Sequence, residues 1–598
     1  MPEAPPTCGF QDSSSSDAQP CRGQRVRRWD ACLRHLPDDQ RIEYFRSLSA
    51  TSHVKHRNTT FRGSLLRDLI RALQDADGIA TFGQADFSGS TFEVPARFNQ
   101  ARFAGPTRFT NCTFLGAADF NHAEFEGMAT FETSIFHGEV DFVGSDFNKL
   151  ADFERCKFME SARFSASRFR VAAVFRYTGF EAGAFFSQSR FEQHARFTSA
   201  TFKAVARLEE CSFSQFTEFD SVTFAGACHF NGSVFESSAE LGPLRCHSEL
   251  DLSHCAFKSP ITITAVSDSV KCERTRWEST AALRLRHSDL DLTDAVLNFP
   301  VAATSQSGQF SLAPNGLDQP ELRVLSLRGV DCSLLTLSDA DLTHCQFQGA
   351  IHLDQLRIEG RHCFGRPPNT RCWIRGVPFK WAQRQVIVEE ILWRREPERP
   401  SSLRSGWHFP QERTHGQPDL STVAVIYRQL RKAREDAKDE PGAADFYYGE
   451  MEMRRHGRKW DEAERWLLQA YWLLSGYGLR ASRALGWLVL AMMTTVLLMM
   501  GFGLPQDSPK QEAIGTVPPG GGEVTFEIDK DDPQNPTYDR FTGKRFEKAL
   551  SVTLNSVVFR SSGQDLTTAG GYIEMASRFS EPVLLGLAVL AIRGRVKR

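Results

Sequence analysis

The chain of 598 residues predicts a mainly β solenoid followed by an α-helical segment and a transmembrane helical hairpin, on three observations. Phenylalanine recurs at Phe87, Phe92, Phe98, Phe103, Phe109, Phe114, Phe120 and Phe125 and onward to Phe235, in gaps that alternate five and six, with Leu208 as the one departure. Two residues before these aromatics a small side chain usually stands, as in Ala96, Ala101, Thr107, Cys112, Ala118 and Ala123. Residues 485–504 run for twenty positions without a charge.

Neither the 3.6-residue helix period nor strand alternation fits this spacing, whereas a coil that turns a corner every five or six residues does. Each face then points one large and one small residue inward. From Phe82 to Phe235 there are 29 such large positions. At four faces per coil they make about seven coils, ~35 Å of rod at ~4.8 Å between stacked strands. Burying each phenylalanine contributes roughly 2 to 3 kcal/mol, so the block is expected to fold with no cofactor.

The paired units AlaAspPheSerGlySerThrPhe (85–92) and AlaArgPheAsnGlnAlaArgPhe (96–103) resemble the pentapeptide-repeat proteins. The resemblance implies a right-handed quadrilateral β-helix over most of 80–360. Some members of that family mimic the DNA duplex and bind topoisomerases, which asks for a densely acidic surface. Here 14 Lys and Arg stand against 19 Asp and Glu between 80 and 236, and the whole chain carries a net charge of −2. A solvated, salt-bridged face accounts better for such mixed signs, and no nucleic-acid partner is expected.

Residues 1–28 are rich in Pro, Ser, Gln and Gly and read as a disordered tail. Residues 29–79 read as a helical cap, with Leu65, Leu66, Leu69, Ile70 and Leu73 on one helix face before the first block, 80–240. Cys112, Cys156, Cys211, Cys228 and Cys255 all sit in the small-residue column, which predicts reduced, packed thiols and a reducing compartment. The repeat decays over 241–324 and resumes in strict fives over 325–360, with Leu327, Cys332, Leu337, Leu342 and Phe347 in the large column. A single rod with a bulged or looped middle is expected.

Residues 361–420 read as a helix and linker. Within them the adjacent carboxylates Glu389 and Glu390 point about 100° apart on a helix, which argues for a solvated face rather than an acid–base pair. Over 421–484, two helices flank Glu440, Pro441 and Gly442 and a juxtamembrane helix follows. This resembles a tetratricopeptide-like hairpin, with Tyr427, Leu430 and Ala433 packed on Phe446, Tyr447 and Met451.

Residues 485–504 are long enough for a first span, preceded by Trp466, Tyr471, Trp472, Tyr477, Arg480 and Arg483 and opened by Trp487, as suits a membrane interface. Residues 505–546 form an extracytoplasmic loop whose run 526–536 looks disordered. Residues 547–559 form a short helix and 572–592 a second span, in which Glu574, Arg578 and Glu581 share a helix face. The basic end 593–598 places both termini in the cytoplasm. The order span, loop, short helix, glycine-containing turn, span resembles the two-span pore module of potassium channels. A potassium filter needs a ThrValGlyTyrGly-like run, and the turn here reads PheArgSerSerGlyGlnAspLeu (559–566), with Arg560 at the mouth and Gly563 within it.

No catalytic, cofactor or metal motif emerges, and His122, His137, His194 and His229 occupy scattered outward positions. The expected function is therefore a non-enzymatic, membrane-anchored scaffold, held by the lipid bilayer and binding a cytoplasmic protein. The alternative is an oligomeric ion channel or channel-derived sensor, which needs a homo-oligomer because one two-span subunit cannot enclose a pore.

Overall fold

The structure, a computed structural model, describes residues 7–10, 20–306, 322–369, 371–374, 377–380, 383–395, 407, 419–506, 511–515, 519–520, 526–530, 532–558, 561 and 563–596. The chain divides into two units, Met1–Pro418 and Asp419–Arg598.

The first unit is a four-sided β-solenoid. Two-residue strands such as Thr91–Phe92, Ala96–Arg97, Arg102–Phe103 and Thr107–Arg108 occupy successive faces. Each face stacks in parallel on the equivalent strand one coil away, as Phe103 pairs with Phe125 and Phe125 with Phe147. Backbone conformation explains the alternating gaps. The five-residue gaps turn on a left-handed residue, among them Gln100 (φ 59), Asn111 (φ 55), His122 (φ 54) and Thr133 (φ 59), while the six-residue gaps spend an extra residue on the corner. At those wider corners coils approach closely, and a Cβ on Gly127 would lie 2.4 Å from the carbonyl carbon of Gly105.

The phenylalanines form continuous ladders. Phe125 stacks on Phe147 with centroids 4.7 Å apart and planes 1° apart, and Phe131 meets Phe142 of the neighbouring ladder edge-on at 5.3 Å. The small column closes its own polar groups. Ser145 donates to the carbonyl of Phe120 at 2.8 Å, and Cys112, Cys156 and Cys211 donate through Sγ to the carbonyls of Phe87, Phe131 and Phe186 at 3.0 Å. Burial pushes the Cys112 thiol up to about 12, so these cysteines are packed, unreactive thiols, as the sequence predicts.

The solenoid begins earlier than the repeat pattern. Helix α1 (Asp38–Arg46) and helix α2 (Leu65–Ala72) flank strands Val54–Lys55 and Thr60–Phe61, which pair with Ala85–Asp86 and Thr91–Phe92. Phe61 stacks on Phe92 at 4.9 Å, so 29–79 is a mixed cap carrying part of a first coil. Helix α2 buries Leu65, Leu66 and Leu69, the expected face. The expected tail 1–28 needs correction: Thr7 bridges Gln24, Cys8 N donates to Gly23 O at 2.8 Å, and Cys8, Cys21, Cys32 and His35 converge.

Through 241–306 the coil continues, with long strands Glu240–Asp251 and Ile261–Lys271 running round a corner and bulges in their pairing. Here the coil shortens: Phe235 pairs with Phe257 at a spacing of 22 residues, but Phe257 pairs with Trp277, and Trp277 with Leu297, at a spacing of 20. Strict fives on four sides need 20 residues, and Ser326 accordingly bridges Gln346. One face alone carries eleven stacked strands.

Helix α3 (Val388–Arg394) closes the far end, and it overturns the reading of Glu389 and Glu390 as a solvated face. Glu389 Oε1 accepts the Phe347 and Gln348 N–H groups at 2.5 and 3.0 Å, taking the place of the strand that would follow. Glu390 is clamped between the equally buried Arg384 and Arg394 at 2.6 and 2.7 Å. Periodicity missed this because a carboxylate can be buried when long-range donors surround it.

In the second unit, α4 (Leu420–Asp436) and α5 (Glu440–Gly457) form the expected hairpin, Tyr427 packing on Phe446 at 5.9 Å. Tyr448 is buried there and Tyr447 is only partly covered. Helices α6 (Ala463–Ser475) and α7 (Ala481–Leu498) follow, the latter extended by a π-helical turn, Met499–Gly503. The run read as disordered contributes a strand, Phe526–Lys530, antiparallel to Gln511–Gly515. Helices α8 (Gly543–Val557) and α9 (Thr568–Val596) complete the described chain.

Candidate functional site

The C-terminal helices form the most specific arrangement in the second unit. Two stretches, Ala481–Gly503 and Thr568–Arg593, are long and apolar enough to cross a membrane, at 23 and 26 residues. At ~1.5 Å rise per residue each exceeds the ~30 Å hydrocarbon thickness. Val489, Leu490 and Met493 of α7 and Phe579, Val583 and Val589 of α9 face outward.

Where these helices meet, small and hydroxylated residues replace bulky ones. Gly503 and Gly570 touch so closely that a Cβ on Gly570 would fall 2.2 Å from the Gly503 carbonyl oxygen. Thr567 donates from N to Gly503 O at 3.0 Å and from Oγ1 to Phe502 O at 2.7 Å. Further along, Thr495 Oγ1 donates to the buried Glu581 Oε1 at 2.8 Å. Ser577 Oγ donates to Ser556 Oγ at 3.0 Å, tying α9 to α8.

Helix α8 wedges between the two long helices. Ala549 and Val552 share a buried cluster with Val496, Met499, Met500 and Leu504. From its first turn Arg545 reaches the end of α7, donating to the carbonyls of Met500, Leu504 and Pro505 at 2.9, 2.8 and 2.8 Å. These are the carbonyls a helix C-terminus leaves without intrahelical donors, and a cation suits that negative end.

The residues marked in the sequence fall as follows. Arg560 lies outside the described residues, and Gly563 is exposed with φ +62. Glu581 faces the other long helix, while Glu574 and Arg578 are half-buried. Arg545, Thr495, Ser556, Ser577 and Thr567 were not singled out. Hydroxyls inside apolar runs were the available signal for Thr495 and Ser577.

Upstream, the aromatics divide between two environments. Trp460 and Trp466 are exposed. Tyr477 is buried, contrary to its expected place at a membrane interface, because it packs edge-on against Tyr448 at 5.1 Å. Trp472 lies under the guanidinium groups of Arg455 and Arg483 at 4.6 and 5.2 Å. The buried Glu450 holds Arg428 and Arg454 at 3.0 and 2.9 Å.

The outer solenoid faces carry ion pairs between neighbouring coils: Arg102 with Glu124 at 3.0 Å, Arg170 with Asp146 at 2.6 Å, Lys258 with Glu236 at 2.9 Å. Each contributes little because water screens it. His229, Glu249 and Asp251 also come together on this surface. His229 approaches Asp251 at 3.7 Å, and Lys271 neutralises Glu249 at 2.8 Å.

Comparison with known proteins matches the first block to the family model for pentapeptide repeats (9 copies), over residues 80–122 and 109–157. No curated protein and no solved structure matches the chain. The matched stretches lie within the phenylalanine ladders, and the same two-residue strands, left-handed corners and stacked rings recur coil after coil beyond residue 157. Over the matched residues the chain carries pentapeptide repeats.

Proposed function

We propose that this protein is a non-enzymatic scaffold anchored in the membrane by α7 and α9, with the solenoid in the cytoplasm binding a protein partner along its outer faces. The observation that carries the reading is the division of labour in the repeat. Every inward column is committed to packing, whereas the outward columns present regular, charged and rigid faces coil after coil. The basic residues Arg480 and Arg483 before the first span, and Arg593, Arg595, Lys597 and Arg598 after the second, favour the cytoplasmic side for both ends. Photo-crosslinking from outward positions such as Arg163 in the full chain tests the proposal: a discrete protein adduct is expected from at least one face. Adducts from none of the four faces, or adducts with nucleic acid, refute it.

The wedge helix favours a second reading, an oligomeric channel or a sensor derived from one. Helix α8 between two long helices, held by Arg545, is the arrangement a two-span pore module needs. Cation flux in liposomes that Arg560→Gln abolishes supports it. A strictly monomeric protein in detergent refutes it.

A further inference from the structure

The cysteines of this chain fall into two chemically different groups. In the solenoid Cys112, Cys156, Cys211 and Cys255 each turn a thiol toward a backbone carbonyl. Near the start of the chain Cys8, Cys21 and Cys32 turn toward one another and toward His35, and the four donor atoms all lie within 4.8 Å of one another.

Three of the six donor–donor distances match those of tetrahedral ligands. Tetrahedral zinc with Zn–S of ~2.3 Å and Zn–N of ~2.0 Å sets its ligand atoms ~3.8 Å apart for two sulfurs and ~3.5 Å apart for sulfur and nitrogen. Here Cys21 Sγ and Cys32 Sγ are 3.8 Å apart, and His35 Nδ1 is 3.4 Å from Cys32 Sγ and 3.6 Å from Cys8 Sγ. A disulfide would hold its sulfurs at ~2.05 Å.

The surroundings are built to the same end. A Cβ on Gly23 would fall 2.8 Å from Cys32 Cβ and 2.9 Å from Cys32 Sγ, so only glycine lets the chain pass there, and its N–H points at Cys21 Sγ at 3.4 Å. Phe10 stacks on His35 with centroids 4.3 Å apart, fixing the plane of the imidazole. Among the segment's described residues Cys8, Val26, Cys32, Leu33 and Leu36 are the buried apolar ones up to α1, a small core for such a stretch. It is nonetheless tied to the first coil, Gln24 N donating to Arg57 O at 2.9 Å and Asn58 Nδ2 to Arg22 O at 3.4 Å.

We propose that Cys8, Cys21, Cys32 and His35 bind a structural Zn2+ ion that clips the N-terminal segment onto the open end of the solenoid. Three thiolates and an imidazole suit zinc by softness and by tetrahedral preference, and four protein ligands make a closed, structural site rather than a catalytic one. Ligand binding and ordering of the segment are then one event.

Elemental analysis of the detergent-purified full chain tests this. One zinc per chain is expected, falling to background in Cys21→Ser and in His35→Ala and unchanged in Cys363→Ser, which removes an exposed thiol outside the cluster. Protein produced in cobalt-supplemented medium should show thiolate-to-cobalt charge transfer and the intense visible bands of tetrahedral Co2+, which decides the matter even if a ligand variant fails to fold. A metal-free chain without those bands, ligand variants that keep the full metal content, or a Cys21–Cys32 disulfide found by mass spectrometry each overturn the proposal.

Discussion

Phe153→Ala probes the ladder where it is most complete. Phe153 stacks between Phe131 and Phe175 at 4.8 and 4.9 Å and meets Phe142 and Phe164 edge-on at 5.4 and 5.3 Å. Truncating a fully buried phenylalanine costs about 3 to 5 kcal/mol, through lost transfer energy and the cavity left behind. In a solenoid that loss stays near its coil, because each coil contacts only its neighbours. Amides of the affected coils, such as Phe131 N on Asp152 O and Phe175 N on Arg196 O, should therefore exchange faster. At about 1.4 kcal/mol per decade the acceleration is roughly two to more than three powers of ten. Amides around Trp277 should change little. Hydrogen exchange with mass-spectrometric readout on the full chain in detergent resolves both regions. An acceleration below tenfold over 131–175, or one spread evenly to Trp277, would refute the ladder as the local source of stability.

Other perturbations follow from the same contacts. Leu208 is fully buried at the column position between Phe186 and Phe230, so Leu208→Phe should restore a stack worth about 0.5 to 1.5 kcal/mol and slow exchange there; faster exchange would mean the column has closed around leucine. Burial pushes the Glu389 carboxyl from 4.5 up to about 7, so the folded chain keeps a proton that the unfolded chain releases. Stability of the solenoid end should then fall by on the order of 3 kcal/mol as pH rises through that window and level off above it. Glu389→Gln should abolish this dependence in exchange at Phe347 and Gln348, and an unchanged pH profile would contradict it. Gly570→Ala should lower the melting temperature of the detergent-solubilised protein, whereas Gly571→Ala, with open space at its Cβ, should not; equal melting points would contradict the close helix contact.

The repeat was readable because its inward positions tolerate few residue types, and a period of five and six has no other structural source. The strict fives over 325–360 implied a 20-residue coil there, whereas the same shortening from Phe257 to Trp277 falls where the repeat decays and no period announces it. What escaped detection depends on partners far along the chain. Glu389 is 42 residues from Phe347, and Thr495 is 86 from Glu581, so no local pattern announces either contact. Phe61 is a single aromatic outside the period, too little to announce the strand that carries it. The Cys8, Cys21, Cys32 and His35 cluster lies partly in a segment whose composition reads as a tail. Its wide spacings lack the paired CxxC signature that marks most such sites.

The central claim, a cytoplasmic solenoid joined to a two-span membrane hairpin, is tested most directly by thiol accessibility in intact cells. Cys363 is exposed on the solenoid unit, and Asp539→Cys would place a second reactive thiol in the loop between the spans. A membrane-impermeant maleimide should modify the thiol at 539 in intact cells and Cys363 only after permeabilisation. Modification of Cys363 without permeabilisation, or of neither thiol until the membrane is opened, would contradict the account.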